Sequence, residues 1–290
     1  MIYLLGSILL TSYLTLFFKV AEYFGWNTFQ VIVSNYITCV ITGAILRGSL
    51  PFDQGIVTPP WMGWAIAMGA TFICLFNVIG FSARRIGVAV TAFAYKLSVI
   101  IPFLFSIYLY HETPGGIRIS GLVLALISIL LACYPSSDRR KDAGISKGFT
   151  IMIPLIILVW SGLLDTSIKF VEQQYLDNNS KNDFLLAAFS VAASTGIFAL
   201  VILAITGKQQ FSSRSMAAGI MLGIPNYFSI WCLLRVFRDN PGNSAAIIAI
   251  NNVGIVLVSA VGAWLFFKEK ISLINWSGIA LATIAIMMMA

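Results

Sequence analysis

Residues 244–267 form the stretch SAAIIAINNVGIVLVSAVGAWLFF, in which no side chain carries a charge. A helix needs about 20 predominantly apolar residues to cross the hydrocarbon core of a bilayer, so this stretch is long enough. Comparable apolar runs recur along the 290-residue chain, which is 59% hydrophobic and only 10% charged, with a mean hydropathy of +0.92. A soluble domain of this length needs more charge to cover its surface. The composition therefore predicts a multi-pass membrane protein whose surroundings are the lipid bilayer.

Apolar runs separated by charged and turn residues predict about ten transmembrane helices. Lipid offers no hydrogen-bond partners to the backbone, so a spanning segment is either a helix or a strand of a closed barrel. The length of the runs and their lack of polar–apolar alternation favour helices. The predicted fold class is an all-α integral membrane protein. Its spans cover residues 1–18, 28–46, 61–81, 88–109, 117–134, 149–170, 184–206, 216–234, 244–267 and 273–289.

The two halves of the chain resemble each other weakly, but in a consistent order. At one offset Glu112 aligns with Glu269, and Ser120–Gly121 aligns with Ser277–Gly278. At an offset two residues shorter, several residues of the first two spans have identical counterparts in the sixth and seventh: Leu9 with Leu164, Thr11 with Thr166, Ser12 with Ser167, and Phe29 with Phe184. We therefore predict two five-helix repeats, residues 1–134 and 149–290, joined by a polar linker at residues 135–148.

An odd number of spans in each repeat has a topological consequence. The second copy has to enter the bilayer from the side opposite to the first, which makes the two copies inverted repeats. Many secondary transporters have this architecture, with the substrate site near the bilayer midplane between the repeats. The predicted mechanism is accordingly alternating access.

Several strings are similar to motifs of the EamA-like transporters of the drug/metabolite transporter superfamily. They are VAVTAFAYKLSVIIPFLFSIYLYHET at 88–113, AAIIAINNVGIVLVSAVGAWLFFKEK at 245–270, WSGIALATIAIMMM at 276–289, and Trp160-Ser161-Gly162 with Lys169. The chain departs from the family pattern at His111 and Ser259. Together with the layout of five plus five spans, the resemblance covers nearly the whole chain. It implies a carrier in the cell (inner) membrane, and leaves amino acids, sugars, phosphorylated compounds and drugs as possible substrates.

Two ionisable residues lie deep in predicted spans. Lys96 is placed near the middle of the fourth span, where a charge is costly and indicates function. We predict that it anchors a carboxylate or phosphate of the substrate, or that its charge is coupled to transport. Asp165, in the sixth span, either forms a local ion pair with Lys169 at i+4 or carries a coupling proton and acts as counter-ion to Lys96.

Polar residues in the middle of other spans complete the predicted substrate site. Asn251 and Asn252 are adjacent in the ninth span and point about 100° apart, so at most one of them faces a cavity squarely. The remaining candidates are hydrogen-bonding side chains of the second, fourth and eighth spans: Asn35, Tyr36, Tyr95 and Asn226.

The sequence contains no motif for catalysis, metal binding or phosphate binding, so we expect no enzyme, no cofactor and no metal. We predict a secondary active transporter that moves a small polar metabolite, with export favoured, and with a proton or counter-substrate as a possible coupling partner. An exporter of lipophilic drugs is the alternative, and a membrane enzyme or lipid-carrier translocase is a more distant one. The positive residues lie in short connections between spans, which is not the pattern of a nucleic-acid-binding surface.

Two arguments predict different membrane orientations. Members of the family with this layout have both ends in the cytoplasm, and we favour that arrangement. The distribution of Lys and Arg among the connections, with Arg84, Arg139 and Lys268 among them, instead places both ends outside by the positive-inside rule.

Overall fold

The computed structural model describes residues 2–48, 59–101, 104–105, 115–132, 147–176, 180–239, 244–268 and 272–289. Within these ranges the chain is helical and has no strand. The ten helices are α1 (Ile2–Tyr23), α2 (Thr28–Arg47), α3 (Met62–Arg85), α4 (Val88–Leu97), α5 (Gly116–Ala132), α6 (Lys147–Tyr175), α7 (Ser180–Ile205), α8 (Ser213–Asp239), α9 (Ser244–Phe267) and α10 (Leu273–Met289).

Seven of these helices are long and apolar enough to cross a membrane: α1, α2, α3, α6, α7, α8 and α9. The other three are apolar but shorter, with 10 residues in α4 and 17 in both α5 and α10. Large apolar side chains also remain on the outside, including Ile205 at 81% exposure and Leu273 at 88%. Such a surface is stable against lipid and not against water. The prediction of an all-α membrane protein is therefore confirmed.

Every predicted span overlaps an observed helix, but α1, α3, α6, α7 and α8 extend several residues beyond the predicted bounds. The bounds of α9 and α10 are those predicted from the sequence. The local chemistry explains the ends of α2. α2 begins after Asn27, whose side chain accepts the Gln30 amide N–H at 3.1 Å, and it ends at Gly48 in the left-handed conformation. These are the usual N-terminal and C-terminal caps of a helix. The predicted linker at residues 135–148 lies outside the described residues, apart from Lys147 and Gly148, which begin α6.

The fourth span differs from the prediction of one continuous helix over residues 88–109. α4 ends at Leu97, a turn follows at Ser98 and Val99, and helical conformation resumes at Ile100. The Ser98 hydroxyl donates to the Tyr95 carbonyl at 2.6 Å, and the Ile101 N–H bonds the Ser98 carbonyl at 2.9 Å in a tighter turn. The residue four positions after Ser98 is a proline, which has no N–H to offer that carbonyl.

The described chain divides into two compact units, each containing helices from both halves of the sequence. The first unit comprises residues 1–19, 78–166 and 229–290, and the second comprises residues 20–77 and 167–228. These units are defined by which residues pack together. The two repeats at 1–134 and 149–290 are instead defined by sequence similarity, and they stay a prediction.

In the second unit, α2 packs along α7, and the contacts give their relative direction. Val33 of α2 lies against Gly196 of α7, whereas Tyr36, further along α2, lies with its ring 6.0 Å from Phe189. Because the residue numbers rise along α2 while they fall along α7, the two helices run antiparallel.

Glycines bring α8 close to α2 in the same unit. A methyl group added at Gly219 would lie 2.5 Å from the Val31 carbonyl oxygen, and one at Gly223 would lie 2.7 Å from the Asn35 carbonyl oxygen. The residue numbers of the contacting positions rise in the same direction along α2 and α8, so these two helices run parallel. Two glycines four residues apart are typical of helices that approach each other closely in membranes.

The first unit contains a second antiparallel pair and a second parallel pair. α5 and α10 pack along each other, and Asn275 near the start of α10 donates to the Leu131 carbonyl near the end of α5 at 3.3 Å. α1 runs parallel to α9, since Gly254 lies against Ile8 and Gly262 lies against Leu16. α4 also packs on α9, which places the Lys96 helix beside the helix that carries Asn251 and Asn252.

The close approach of α8 to α2 yields a testable prediction. Gly223→Val is expected to lower the free energy of unfolding by about 1–3 kcal/mol, because the added atoms meet the Thr38 Cβ and the Asn35 carbonyl oxygen, and neither atom lies at the far end of a flexible side chain. Gly63→Val is the matched control, since nothing lies within 4 Å of a methyl group at that helical glycine. Thermal unfolding in detergent measures both. Equal destabilisation by the two variants would contradict the proposed α2–α8 contact.

Candidate functional site

The first unit brings together the two ionisable residues that the sequence singles out. The Lys96 ammonium lies 4.5 Å from the centroid of the Tyr95 ring, and it experiences the Coulombic attraction of Asp165. Lys96 and Tyr95 are half-buried, whereas Asp165 is exposed although it is recessed among protein atoms. A cation, an aromatic ring and a carboxylate therefore belong to one site in the first unit.

The position of Lys96 on its helix differs from the prediction. The sequence places it in the middle of a long helix, but the structure places it in the last turn of α4, directly before the interruption. The carbonyl end of a helix carries a partial negative charge, which favours a cation in its last turn. The Tyr95 ring and Asp165 both stabilise the ammonium group.

Asp165 is held by the segment that interrupts α4. The Ser98 hydroxyl lies 3.3 Å from the Asp165 Oδ2 and 2.6 Å from the Tyr95 carbonyl oxygen. α6 can approach this closely because it has a glycine at position 162, where an added methyl group would lie 2.8 Å from the Ser98 carbonyl oxygen. The Asp165–Lys169 pair predicted from the i+4 spacing involves a side chain outside the described residues.

Asn251 and Asn252 of α9 belong to the same unit as Lys96. Asn251 is 3% exposed, and its side-chain oxygen accepts no hydrogen bond from the part of the chain that the structure describes. Asn252 is half-buried. A buried amide oxygen without a donor costs free energy, so a further hydrogen-bond donor at Asn251 would be stabilising.

The three remaining candidates lie in the second unit and contact its helices. Asn226 of α8 donates to the Asn35 side-chain oxygen of α2 at 3.1 Å, and Asn35 is fully buried. The Tyr36 hydroxyl donates to the Phe72 carbonyl at 3.1 Å, while its ring packs on Phe76 and Phe189. These contacts hold α2, α3, α7 and α8 together. Substrate binding by Asn35, Tyr36 and Asn226 stays a prediction.

Ser98 was not among the site residues predicted from the sequence. The signal was present: a serine two residues after the lysine, with a proline four residues after the serine. Such a proline deprives the serine carbonyl of its helical donor, and the serine hydroxyl can bond a carbonyl of the preceding turn. The aligned residues Glu112 and Glu269, and His111 beside Glu112, lie outside the described residues.

The fold and this site define the protein as an all-α, multi-pass membrane protein with a charged site in one of its units. No protein-family model matches the chain. The chain is similar to a protein of Haemophilus influenzae that bears the name "Uncharacterized protein", with 26% identity over 288 residues, which span 98% of this chain and 95% of the relative. The similarity thus extends over almost the full length of both proteins. The resemblance to EamA-like transporters stays a prediction.

The bond between Asn35 and Asn226 can be tested by a double-mutant cycle. Each single change to Ala is expected to destabilise the protein, because it leaves the other amide buried without this partner. The coupling free energy should be about 0.6 kcal/mol and at most about 1.7 kcal/mol, the range of interhelical hydrogen bonds in membranes. Thermal unfolding of the two single variants and the double variant gives this value. Additive effects would show that the bond contributes nothing.

Proposed function

We propose that the protein is a secondary active transporter that moves a small polar metabolite across the membrane by alternating access, with export as the direction. The proposed substrates carry an anionic group, as amino acids and phosphorylated compounds do. The observation that carries this proposal is the placement of Lys96 at the end of an interrupted helix, beside Tyr95 and within the electrostatic reach of Asp165. Discontinuous helices are the usual components of transporter binding sites.

Lys96 and Asp165 have complementary roles in the proposed transporter. A charge that is withdrawn from water is costly unless another charge offsets it. In the empty carrier Asp165 attracts Lys96 and thereby stabilises the ammonium group. A substrate carboxylate or phosphate would take over this role through a charge-assisted hydrogen bond, which is about twice as strong as a neutral one. When an anion is bound, the charge of the Lys96 ammonium group is therefore offset less by Asp165 and more by the substrate.

The packing of equivalent helices supports an inverted-repeat arrangement. Counting five helices to each half makes α2 equivalent to α7, α4 to α9, and α5 to α10, and each of these pairs packs together. Two of the pairs are antiparallel, as judged by Tyr36 with Phe189 and by Asn275 with Leu131. Inverted copies run in opposite directions through the bilayer, so this is the relation that they require. We propose an EamA-like carrier on this basis.

A second candidate function has its own supporting observation. The exposed Asp165 carboxylate and the Tyr95 ring lie in the same site, and this is a combination that attracts lipophilic cations. An exporter of lipophilic drugs would use these two groups, and Lys96 would oppose its substrate. The sign of the charge on the substrate therefore separates the two functions.

The proposed function is tested by a thermal-shift screen of the purified protein against amino acids, sugars, sugar phosphates, nucleotide sugars and lipophilic cations. A ligand at about 100 times its dissociation constant stabilises by roughly 2.7 kcal/mol, which is readily measured. Anionic metabolites are expected to stabilise the wild type and to lose this effect in Lys96→Ala.

Lys208→Ala is the matched control, because Lys208 is an exposed lysine in the connection between α7 and α8. It should respond to ligands as the wild type does. An anion response that survives in Lys96→Ala would contradict the role of Lys96. Stabilisation by lipophilic cations alone would favour the drug exporter.

The ten-span topology is tested by reporter fusions at the two ends. If α4, α5 and α10 cross the membrane along with the seven longer helices, the number of crossings is even and both ends lie on the same side. If only the seven longer helices cross, the ends lie on opposite sides. Alkaline phosphatase and green fluorescent protein fusions at each end report the side directly. We expect both ends on one side, and a cysteine introduced at Ser136 to be labelled from the other.

A further inference from the structure

The Ser98 hydroxyl lies between two acceptors that it cannot satisfy at the same time. Its oxygen is 2.6 Å from the Tyr95 carbonyl oxygen and 3.3 Å from the Asp165 Oδ2, and its side chain is buried. A serine hydroxyl has one proton to donate and two lone pairs that accept. The direction of this proton therefore depends on whether Asp165 is a carboxylate or a carboxylic acid.

When Asp165 is protonated, all three groups are satisfied in a chain. The carboxylic acid donates to the Ser98 oxygen, and the Ser98 hydroxyl donates to the Tyr95 carbonyl. The Ser98 hydroxyl then donates its hydrogen bond to the Tyr95 carbonyl at the end of α4.

When Asp165 is ionised, it can only accept. A hydrogen bond from Ser98 to the carboxylate is charge-assisted and about twice as strong as one to a carbonyl. The serine proton then turns towards Asp165, and the Tyr95 carbonyl loses this donor. No covalent bond of Ser98 is made or broken, since Asp165 exchanges its proton with water and the serine hydroxyl only rotates.

We propose that Ser98 is a positioning residue. When the protonation state of Asp165 changes, the Ser98 hydroxyl changes its hydrogen-bond partner, and this alters the backbone hydrogen bonding at the interruption of α4. The backbone affected is that of Tyr95, which adjoins Lys96, so the binding site and the protonation site are linked through one hydroxyl. This inference rests on the proposed transport function, since the link serves proton coupling only if α4 rearranges during a transport cycle. Lys96 and Tyr95 on α4 also act on Asp165, and Lys169 on α6 is four residues from it.

The test uses the full-length protein in lipid nanodiscs, without substrate, at a series of values between about pH 5 and pH 9. Infrared difference spectroscopy follows the carboxyl band of Asp165, which Asp165→Asn identifies by removing it. Hydrogen–deuterium exchange follows the amides of residues 98–101, with each rate divided by its intrinsic rate at that pH. In the wild type, protection of these amides should change on the order of tenfold, with the same midpoint as the carboxyl band.

Four variants separate the link from general effects on stability. In Ser98→Ala the carboxyl band still titrates, but protection no longer follows it; Ser98→Thr, which keeps the hydroxyl, restores the wild-type behaviour. In Asp165→Asn protection is independent of pH. Ser128→Ala is the matched control, because the buried Ser128 hydroxyl also bonds the carbonyl three residues earlier at 2.6 Å, that of Ala125 in α5. It should behave as the wild type.

Two results would overturn the proposal. One is protection at residues 98–101 that follows pH in Ser98→Ala as it does in the wild type. The other is the absence of any carboxyl band that Asp165→Asn removes. If Ser98→Ala does not fold, Ser98→Cys provides the same comparison, because a thiol is only a weak donor. Since no substrate is present, either outcome is independent of the anion screen, which tests the transport function through Lys96.

Discussion

A backbone that crosses a bilayer has no water to bond its N–H and C=O groups, and every such group has to find a partner inside the protein. The rest of this structure follows from that constraint. It makes the described chain helical, and it makes any interruption of a helix a place where other groups take over the freed hydrogen bonds. The interruption of α4 is such a place, where the Ser98 hydroxyl and the Ile101 amide replace the regular helical pattern.

In lipid, close packing provides the attraction between helices that the hydrophobic effect provides in water. Apolar side chains gain little by leaving lipid for protein, so helices associate through close contact and hydrogen bonds. The contacts of Gly219 and Gly223 with α2 and of Gly162 with the turn at Ser98 are of this kind. The same principle positions the site, because without a glycine at 162 the helix that carries Asp165 would lie further from Ser98.

The charged site combines features that each favour stability and that together favour binding. Lys96 is stabilised by an aromatic ring and an opposite charge, but neither of these is a fixed ion pair of the kind that locks two side chains together. In the proposed transporter, the anionic group of a substrate would compete with Asp165 for the Lys96 ammonium group.

The sequence by itself determined the fold class, because run lengths and composition leave helices in a membrane as the stable solution. It also determined both ends of α9 and α10 and the first residues of α2 and α4. It singled out Lys96 and Asp165, since charges are rare in such runs. Only the tertiary structure decided that α4 stops at Leu97, that Ser98 joins Asp165 to that stop, and that Asn35 and Asn226 bond each other. Spacing along one helix indicates which residues share a face. Which helix lies opposite that face depends on packing between segments far apart in the chain.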